Sequence, residues 1–321
     1  MRIRYADPPT FLQATQVIAG YQLQHSVTGG FEAFPTFSPS TFLSGSASTQ
    51  LQQSPTFTFQ PVSGEQFAKS FIRPLAPGDL LPLAMSGLPI DVLFRLGVQS
   101  TNGLSNAVAL TDVGAAGSPD FFLLLRDLRA LQVAGLLSIR LAQEPPPVSR
   151  PAPGGIEPPG TSGSSPASHV YLSVASSQDP ALRSTAEEAK AFLGMRPETG
   201  QAEVVYGRTP EAGQIAVVTR SMLGVLSQLA IQIQVPPDDV TRHRTLATVG
   251  NIGPERRPIV IVYSGGKPPS DAFTSIRYRE TFFWIAQDDF DSKLAFSVLQ
   301  ILLALARTQA APGAIVTIPV G

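Results

Sequence analysis

The chain reads as an α+β protein with largely antiparallel sheets, packed helices and two lobes. Three observations lead there. Strand and helix patterns mix along the sequence without the regular βαβ alternation that builds a parallel sheet. Segments of period-two apolar spacing stand beside segments whose apolar residues recur every three or four positions. Finally, 30 prolines and 27 glycines among 321 residues cut the chain into many irregular connections. An apolar content of 43% is ample for a core. No repeat is visible at periods of 20–50 residues.

Residues 13–28 predict a strand, because Tyr21, Leu23 and Val27 alternate with Gln22 and Gln24. Residues 31–54, rich in Phe, Ser, Pro and Thr, predict a loop. Alternation returns over 55–62, with Thr56 and Thr58 on one face and Phe57 and Phe59 on the other. Ser63 is expected to cap a helix over 65–73 that Pro74 stops. Short helices follow over 79–86, ended by Gly87, and over 89–98, begun by Pro89. The clearest helix is 120–133. Phe121, Leu124, Leu125 and Leu128 share one face while Arg126 and Arg129 take the other, and Gly135 fits a C-terminal cap. Residues 136–142 form a strand.

Pro, Gly and Ser dominate 144–167, a linker or long surface loop. It separates residues 1–143, a Phe/Ser/Pro-rich strand segment plus a helical lobe, from a C-terminal α+β lobe over 168–321. There, 170–174 is a strand and 180–193 a helix. Strands 202–206 and 214–218 are placed to pair across 207–213. An apolar helix over 221–233 is capped by Thr219 or Ser221. Residues 258–263 are a strand, and 273–279 with 281–285 make one long strand or a hairpin. Residues 290–306 form a helix with Phe290, Leu294, Val298, Ile301 or Leu302, and Leu305 on one face. Asp289 or Asp291 caps it. A last strand covers 314–320.

Composition excludes several chemistries. With no cysteine there are no disulfides, thiolate metal sites or Cys nucleophiles. A net charge of −1 and no basic stripe argue against a nucleic-acid partner. His25, His169 and His243 show no metal-ligand spacing, and no Gly-x-Ser-x-Gly is present. Ser264-Gly265-Gly266-Lys267 follows an apolar strand but lacks the spacing of a phosphate loop. Pro268-Pro269 replace the helix start such a loop needs, so a turn is expected. Asp288, Asp289 and Asp291 could serve acid–base chemistry or a divalent ion. Their place before a strong helix favours a cap. Arg242, Arg244, Arg256 and Arg257 lack interleaved aromatics and read as solvated surface or a subunit contact. No catalytic residue, cofactor or metal is assigned.

The first fifth of the chain is the exception to ordinary composition. Between residues 8 and 64 one side chain is formally charged, Glu32, against 15% for the whole. The same stretch holds Phe31, Phe34, Phe37, Phe42, Phe57 and Phe59. Water-exposed surfaces keep charge for solubility, and monomers seldom expose large apolar patches. These six phenylalanines are therefore the expected interface. No apolar run here is long enough for a membrane helix.

Several blocks resemble an uncharacterised family of bacterial envelope lipoproteins. They begin with Arg2-Ile-Arg-Tyr-Ala-Asp-Pro-Pro-Thr-Phe-Leu12 and Phe59-Gln-Pro-Val-Ser-Gly-Glu-Gln-Phe67. Leu88-Pro-Ile-Asp-Val-Leu-Phe94 and Ser100-Thr-Asn-Gly-Leu104 follow, with Thr101 in place of the usual Ile. Arg220-Ser-Met-Leu-Gly224, Ile276-Arg-Tyr-Arg279, Asp289-Phe-Asp-Ser-Lys293 and Thr317-Ile-Pro-Val-Gly321 continue in order to the C-terminus. The resemblance implies an export signal, a lipid-bearing Cys and a helix ahead of the first block. It implies a location on the periplasmic face of the outer membrane, tethered to outer-membrane lipid through that N-terminal anchor. It carries no catalytic residue.

The expected function is a non-enzymatic cell-envelope protein that self-assembles into a ring-like homo-oligomer, its expected partners being further copies of itself and, second, another envelope protein. The alternative is a periplasmic binding module for a lipid or glycan, with Tyr21 and the phenylalanines lining a groove and Gln22, Gln24 and Gln52 giving directional hydrogen bonds. A third reading is an envelope hydrolase using Asp288, Asp289 and a histidine.

Overall fold

The computed structural model describes residues 1–9, 12–29, 45–61, 64–106, 117–143, 168–196, 198–250, 252 and 257–308. Two compact units emerge, one of residues 10–64 and one of residues 1–9 with 65–321.

The smaller unit is an antiparallel ribbon of β1 (Leu12–Gly29) and β2 (Gly45–Pro61). Pairing runs from Leu12 opposite Pro61 to Gly29 opposite Gly45, with an irregularity between Ala14 and Gln16. Among the described residues neither strand pairs with a third. β2 corrects the reading of 31–54 as loop, since it starts at Gly45 rather than 55. Its first half is Ser, Thr and Gln with only Ala47 and Leu51 apolar. That is a weak signal alone, and pairing with β1 decides the conformation.

The larger unit opens with a 3-10 turn, Arg2–Tyr5. After the ribbon, α1 (Gly64–Phe67) runs into a π-helical turn, Ala68–Ile72. Its expected cap, Ser63, lies outside the described residues. α2 (Pro77–Leu80) passes into a 3-10 turn, Leu81–Ser86, which Gly87 ends at φ 95°. α3 (Ile90–Gly97) starts after Pro89. β3 (Val98–Thr101), β4 (Leu104–Ser105), α4 (Pro119–Val133) and β5 (Leu137–Gln143) complete this half. α4 buries the expected face, Phe121, Leu124, Leu125 and Leu128.

Next come β6 (Ser168–Val174), α5 (Pro180–Phe192), β7 (Gln201–Tyr206) and β8 (Gln214–Thr219). The larger sheet has the order β4-β3-β8-β7-β6-β5. β5 and β6, on either side of residues 144–167, are paired neighbours. β7 and β8 pair in parallel, with Glu203 opposite Gln214 and Tyr206 opposite Val217. Parallel pairs usually need a connection of about a dozen residues or more. Here residues 207–213, at about 3.3 Å each when extended, return along β7, and the Gly207 N–H bonds the Val217 carbonyl at 3.1 Å.

α6 (Met222–Ala230) is capped by Ser221, whose Oγ accepts from the Gly224 N–H at 3.1 Å. Thr219, the other candidate cap, donates instead to the Leu75 carbonyl. α7 (Pro237–Thr241) was hidden in sequence by its proline-bounded surroundings. A smaller sheet follows in the order β10-β11-β9, from β9 (Tyr263–Gly265), β10 (Thr274–Tyr278) and β11 (Thr281–Ile285). The hairpin alternative for 273–285 is the one adopted, turning at Arg279 with φ 53°.

Two expectations change here. The strand over 258–263 is reduced to Tyr263 onward. The buried run before it meets side chains instead of a ladder, the Ile259 N–H bonding Gln232 Oε1 at 3.0 Å and the Ile261 N–H bonding Ser292 Oγ at 2.9 Å. In α8 (Phe290–Thr308) the inward stripe is Ser292, Ala295, Val298, Leu299, Leu302 and Ala306, while Phe290 is 68% exposed. Ser292 takes the inner place in the first turn because it serves both Ile261 and Asp289. The strand expected over 314–320 lies outside the described residues. No helix among them is long and apolar enough to cross a membrane.

Candidate assembly interface

Of the six phenylalanines expected at the interface, Phe31, Phe34, Phe37 and Phe42 lie outside the described residues. Phe57 and Phe59 fall on β2, opposite Val17 and Ala14. Side chains alternate between the two faces of a strand, so the register sorts the ribbon into two faces. On one, Val17 faces Phe57, Leu23 faces Leu51 and Val27 faces Ala47. On the other, Gln22 faces Gln52, Gln24 faces Gln50 and Ser26 faces Ser48. The irregularity at Thr15 matters for this sorting. Leu12 and Ala14 occupy even positions and Val17 to Val27 odd ones. One extra residue shifts the parity and puts both sets on the same face.

The charge content agrees with the faces. Neither strand contains Asp, Glu, Lys or Arg, and His25 and Tyr21 are their titratable residues. Both outer edges lack a partner strand among the described residues, and such edges are templates for pairing with another chain.

Clefts lie among the described residues of the larger unit. One of about 500 Å³ is lined by Gly78, Asp79, Leu141, His169, Glu203 and Tyr206. His169 Nδ1 lies 2.5 Å from Glu203 Oε1, and Gln214 Nε2 donates to Glu203 Oε2 at 3.4 Å. Nothing in the sequence spacing links His169 with Glu203. The antiparallel pairing of β6 with β7 brings them together. Among the described residues lining the cleft the hydroxyl group is that of Tyr206. A second cleft, of about 380 Å³, includes Ser138, Ser173, Lys190, Glu198, Gly200 and Gln201.

The remaining sequence candidates have structural partners. Asp289 accepts from the Ser292 N–H at 3.1 Å and from its hydroxyl at 2.6 Å, and pairs with Arg257 at 3.2 Å. Burial pushes its carboxyl upward, but the Ser292 bonds and Arg257 outweigh that and hold it below the ordinary range. Asp291 also meets Arg257, and Asp288 is exposed. Arg244 pairs with Asp239, and Arg256 lies outside the described residues. Ser264 and Gly265 belong to β9, not to a phosphate loop. His243 is exposed in a left-handed turn at φ 54°. Among the described residues no group of three or more His, Asp or Glu could hold a metal ion.

The blocks that carry the family resemblance act as clamps within the larger unit. Asp7 bonds the Tyr278 hydroxyl and pairs with Arg279 at 3.0 Å. Tyr5 donates to Asp239 at 2.9 Å, and the Arg279 guanidinium lies over its ring. Asn102, left-handed at φ 47°, accepts from the Ala216 N–H at 2.8 Å. Arg220 is buried and donates to the carbonyls of Arg95, Leu96 and Val98, where α3 ends. Asn106 bonds Phe94, Arg95 and Val98 there, a role its neighbours in sequence do not signal.

Comparison with protein-family models, with curated proteins and with solved structures finds no match for this chain.

Proposed function

We propose that the chain is a non-enzymatic cell-envelope protein that self-assembles into a ring-like homo-oligomer associated with the outer membrane. The observation that carries this reading is the long, uncharged, two-stranded ribbon whose two outer edges have no partner strand among the described residues. A lone two-stranded ribbon is marginal in water. Pairing β1 of one copy with β2 of the next satisfies both edges by one repeated head-to-tail contact, and such contacts close into a ring where the rotation between copies closes and otherwise continue as a filament. The envelope location rests on the resemblance of blocks from Arg2 to Gly321, which also implies tethering to outer-membrane lipid and a location on its periplasmic face.

The test is native mass, by light scattering on detergent-extracted protein at two concentrations. A defined multiple of the chain mass, stable on dilution, is expected. Phe57→Asp with Phe59→Asp should release monomers. A wild-type monomer at both concentrations would end the ring reading.

A second reading, a binding module for a glycan or lipid, is favoured by the cleft at His169, Glu203 and Tyr206, where an aromatic ring stands beside directional polar groups. A monomer that co-purifies with sugar or lipid would support it. The hydrolase reading loses Asp289, whose carboxylate is committed to Ser292 and Arg257.

A further inference from the structure

We infer that β1 and β2 cross a lipid bilayer as one hairpin of a β-barrel built from copies of this chain, enclosing a polar, water-filled lumen. This rests on the proposed self-assembly and adds to it where the ring sits and what it does: it opens a path for hydrated ions and small polar solutes.

Length is the first argument. A transmembrane strand tilted by about 45° needs about 9–11 residues. Positions 17–27 pair without a break with 47–57. The strands, of 18 and 17 residues, extend past that stretch at both ends. Charge is the second argument. Both strands lack every side chain that hydrocarbon rejects most strongly.

The third argument is the dyad repeat. Membrane barrels alternate apolar, lipid-facing residues with polar, lumen-facing ones. The ribbon carries that alternation, with Val17, Leu23 and Val27 on one face and Gln22, Gln24 and Ser26 on the other. The extra residue at Thr15 extends the apolar face to Ala14 and Leu12. Exceptions are few. Ile18 and Gly20 interrupt the polar face. Gln53 opposite Tyr21 and His25 opposite Thr49 interrupt the apolar one. Phe57 and Phe59 stand at one end of the span. Aromatic residues gather at both rims of membrane barrels.

The fourth argument concerns the backbone. Hydrocarbon offers no partner to an unpaired N–H or carbonyl, so an open ribbon cannot span. Two edges without partners are tolerable there only when neighbouring copies pair with them and the sheet closes.

Residues 1–321 contain no cysteine, which makes site-specific labelling within them clean. Tyr21→Cys, Gln22→Cys, Leu23→Cys and Gln24→Cys would each carry an environment-sensitive fluorophore, in the full chain reconstituted into phosphatidylcholine vesicles. Nitroxide on the lipid tails should quench labels at 21 and 23, and aqueous iodide those at 22 and 24. Emission of Trp284, the only tryptophan and part of the larger unit, reports that each variant folds. Native mass is read on the same samples. An oligomer in which all four labels yield to iodide and none to nitroxide overturns the membrane hairpin and leaves the ring standing. A monomer removes the ring and the barrel together.

Discussion

Arg220 ties the end of α3 to the segment after β8. Its guanidinium is buried and donates to three carbonyls at the end of α3. Burial lowers its pKa to about 10, so it stays charged at neutral pH. Truncation removes a buried charged donor and leaves the Leu96 carbonyl without it, while Asn106 still serves the Arg95 and Val98 carbonyls; a buried acceptor left unsatisfied costs about 1–3 kcal/mol. Arg220→Ala should therefore destabilise by about 2–3 kcal/mol, read by urea unfolding through Trp284 fluorescence. Arg220→Lys should recover part of the loss. Tyr5 gives a pH signature. Burial, then the bond to Asp239, raises its hydroxyl from 10.0 to about 12. The folded state thus favours the protonated phenol. That contribution is intact below pH 10 and is lost as pH rises toward 12. Stability should fall by about 2 kcal/mol across that window, and Tyr5→Phe should flatten the fall. A stability profile of Tyr5→Phe that matches wild type from pH 10 to 12 would refute it. Residues such as Asp7, Asn102 and Arg220 were visible in sequence as parts of distinctive blocks. Their roles were not, because Asp7 and Arg279 are 272 positions apart and no local pattern encodes such a contact.

Elements were legible where one face is buried and the period is strong. α4 met its expected core face, and the β10–β11 hairpin followed its alternation. Legibility failed where partners supply what composition lacks. The first half of β2 is polar and needs β1 to become a strand. Residues 258–262 are apolar, yet Gln232 and Ser292 satisfy their backbone in place of a ladder. In α8 Val298 and Leu302 are buried as expected, but Phe290 is exposed and Ser292 and Ala295 face inward instead, because the first turn is oriented by Ser292. The connection from α5 to β7 offers a clean test at this scale. Gly200 has φ 54°, and a Cβ there would lie 2.9 Å from the Val174 carbonyl oxygen. Gly200→Ala should cost about 2–3 kcal/mol, whereas Gly207→Ala, with open space around it, should stay within about 0.5 kcal/mol. Thermal unfolding of the pair decides it, and equal midpoints would show that the turn relaxes around the methyl group.

The two units place opposite demands on the chain. The larger one is held by long-range clamps: Arg4 bonds the Leu246 carbonyl at 2.8 Å, Asp7 meets Arg279, and Tyr5, Ile233 and Phe283 share a core cluster. The N-terminal block is thereby fixed within the larger unit by contacts that do not involve residues 10–64. The ribbon holds almost no charge and pairs only with itself among the described residues. The candidate interface was legible because charge is missing over a long stretch, a signal that needs no structure. Its two faces were not, because the parity shift at Thr15 shows only in the register. Replacing residues 10–64 by a short Gly/Ser linker should then leave a protein that unfolds cooperatively, with Trp284 emission unchanged. It should remain monomeric at concentrations where the full chain assembles. Light scattering and urea unfolding of the same preparation read both properties. An excised chain that still assembles with the full subunit number would move the contact to the larger unit. One that fails to fold would mean that the ribbon supports the larger unit as well as joining copies.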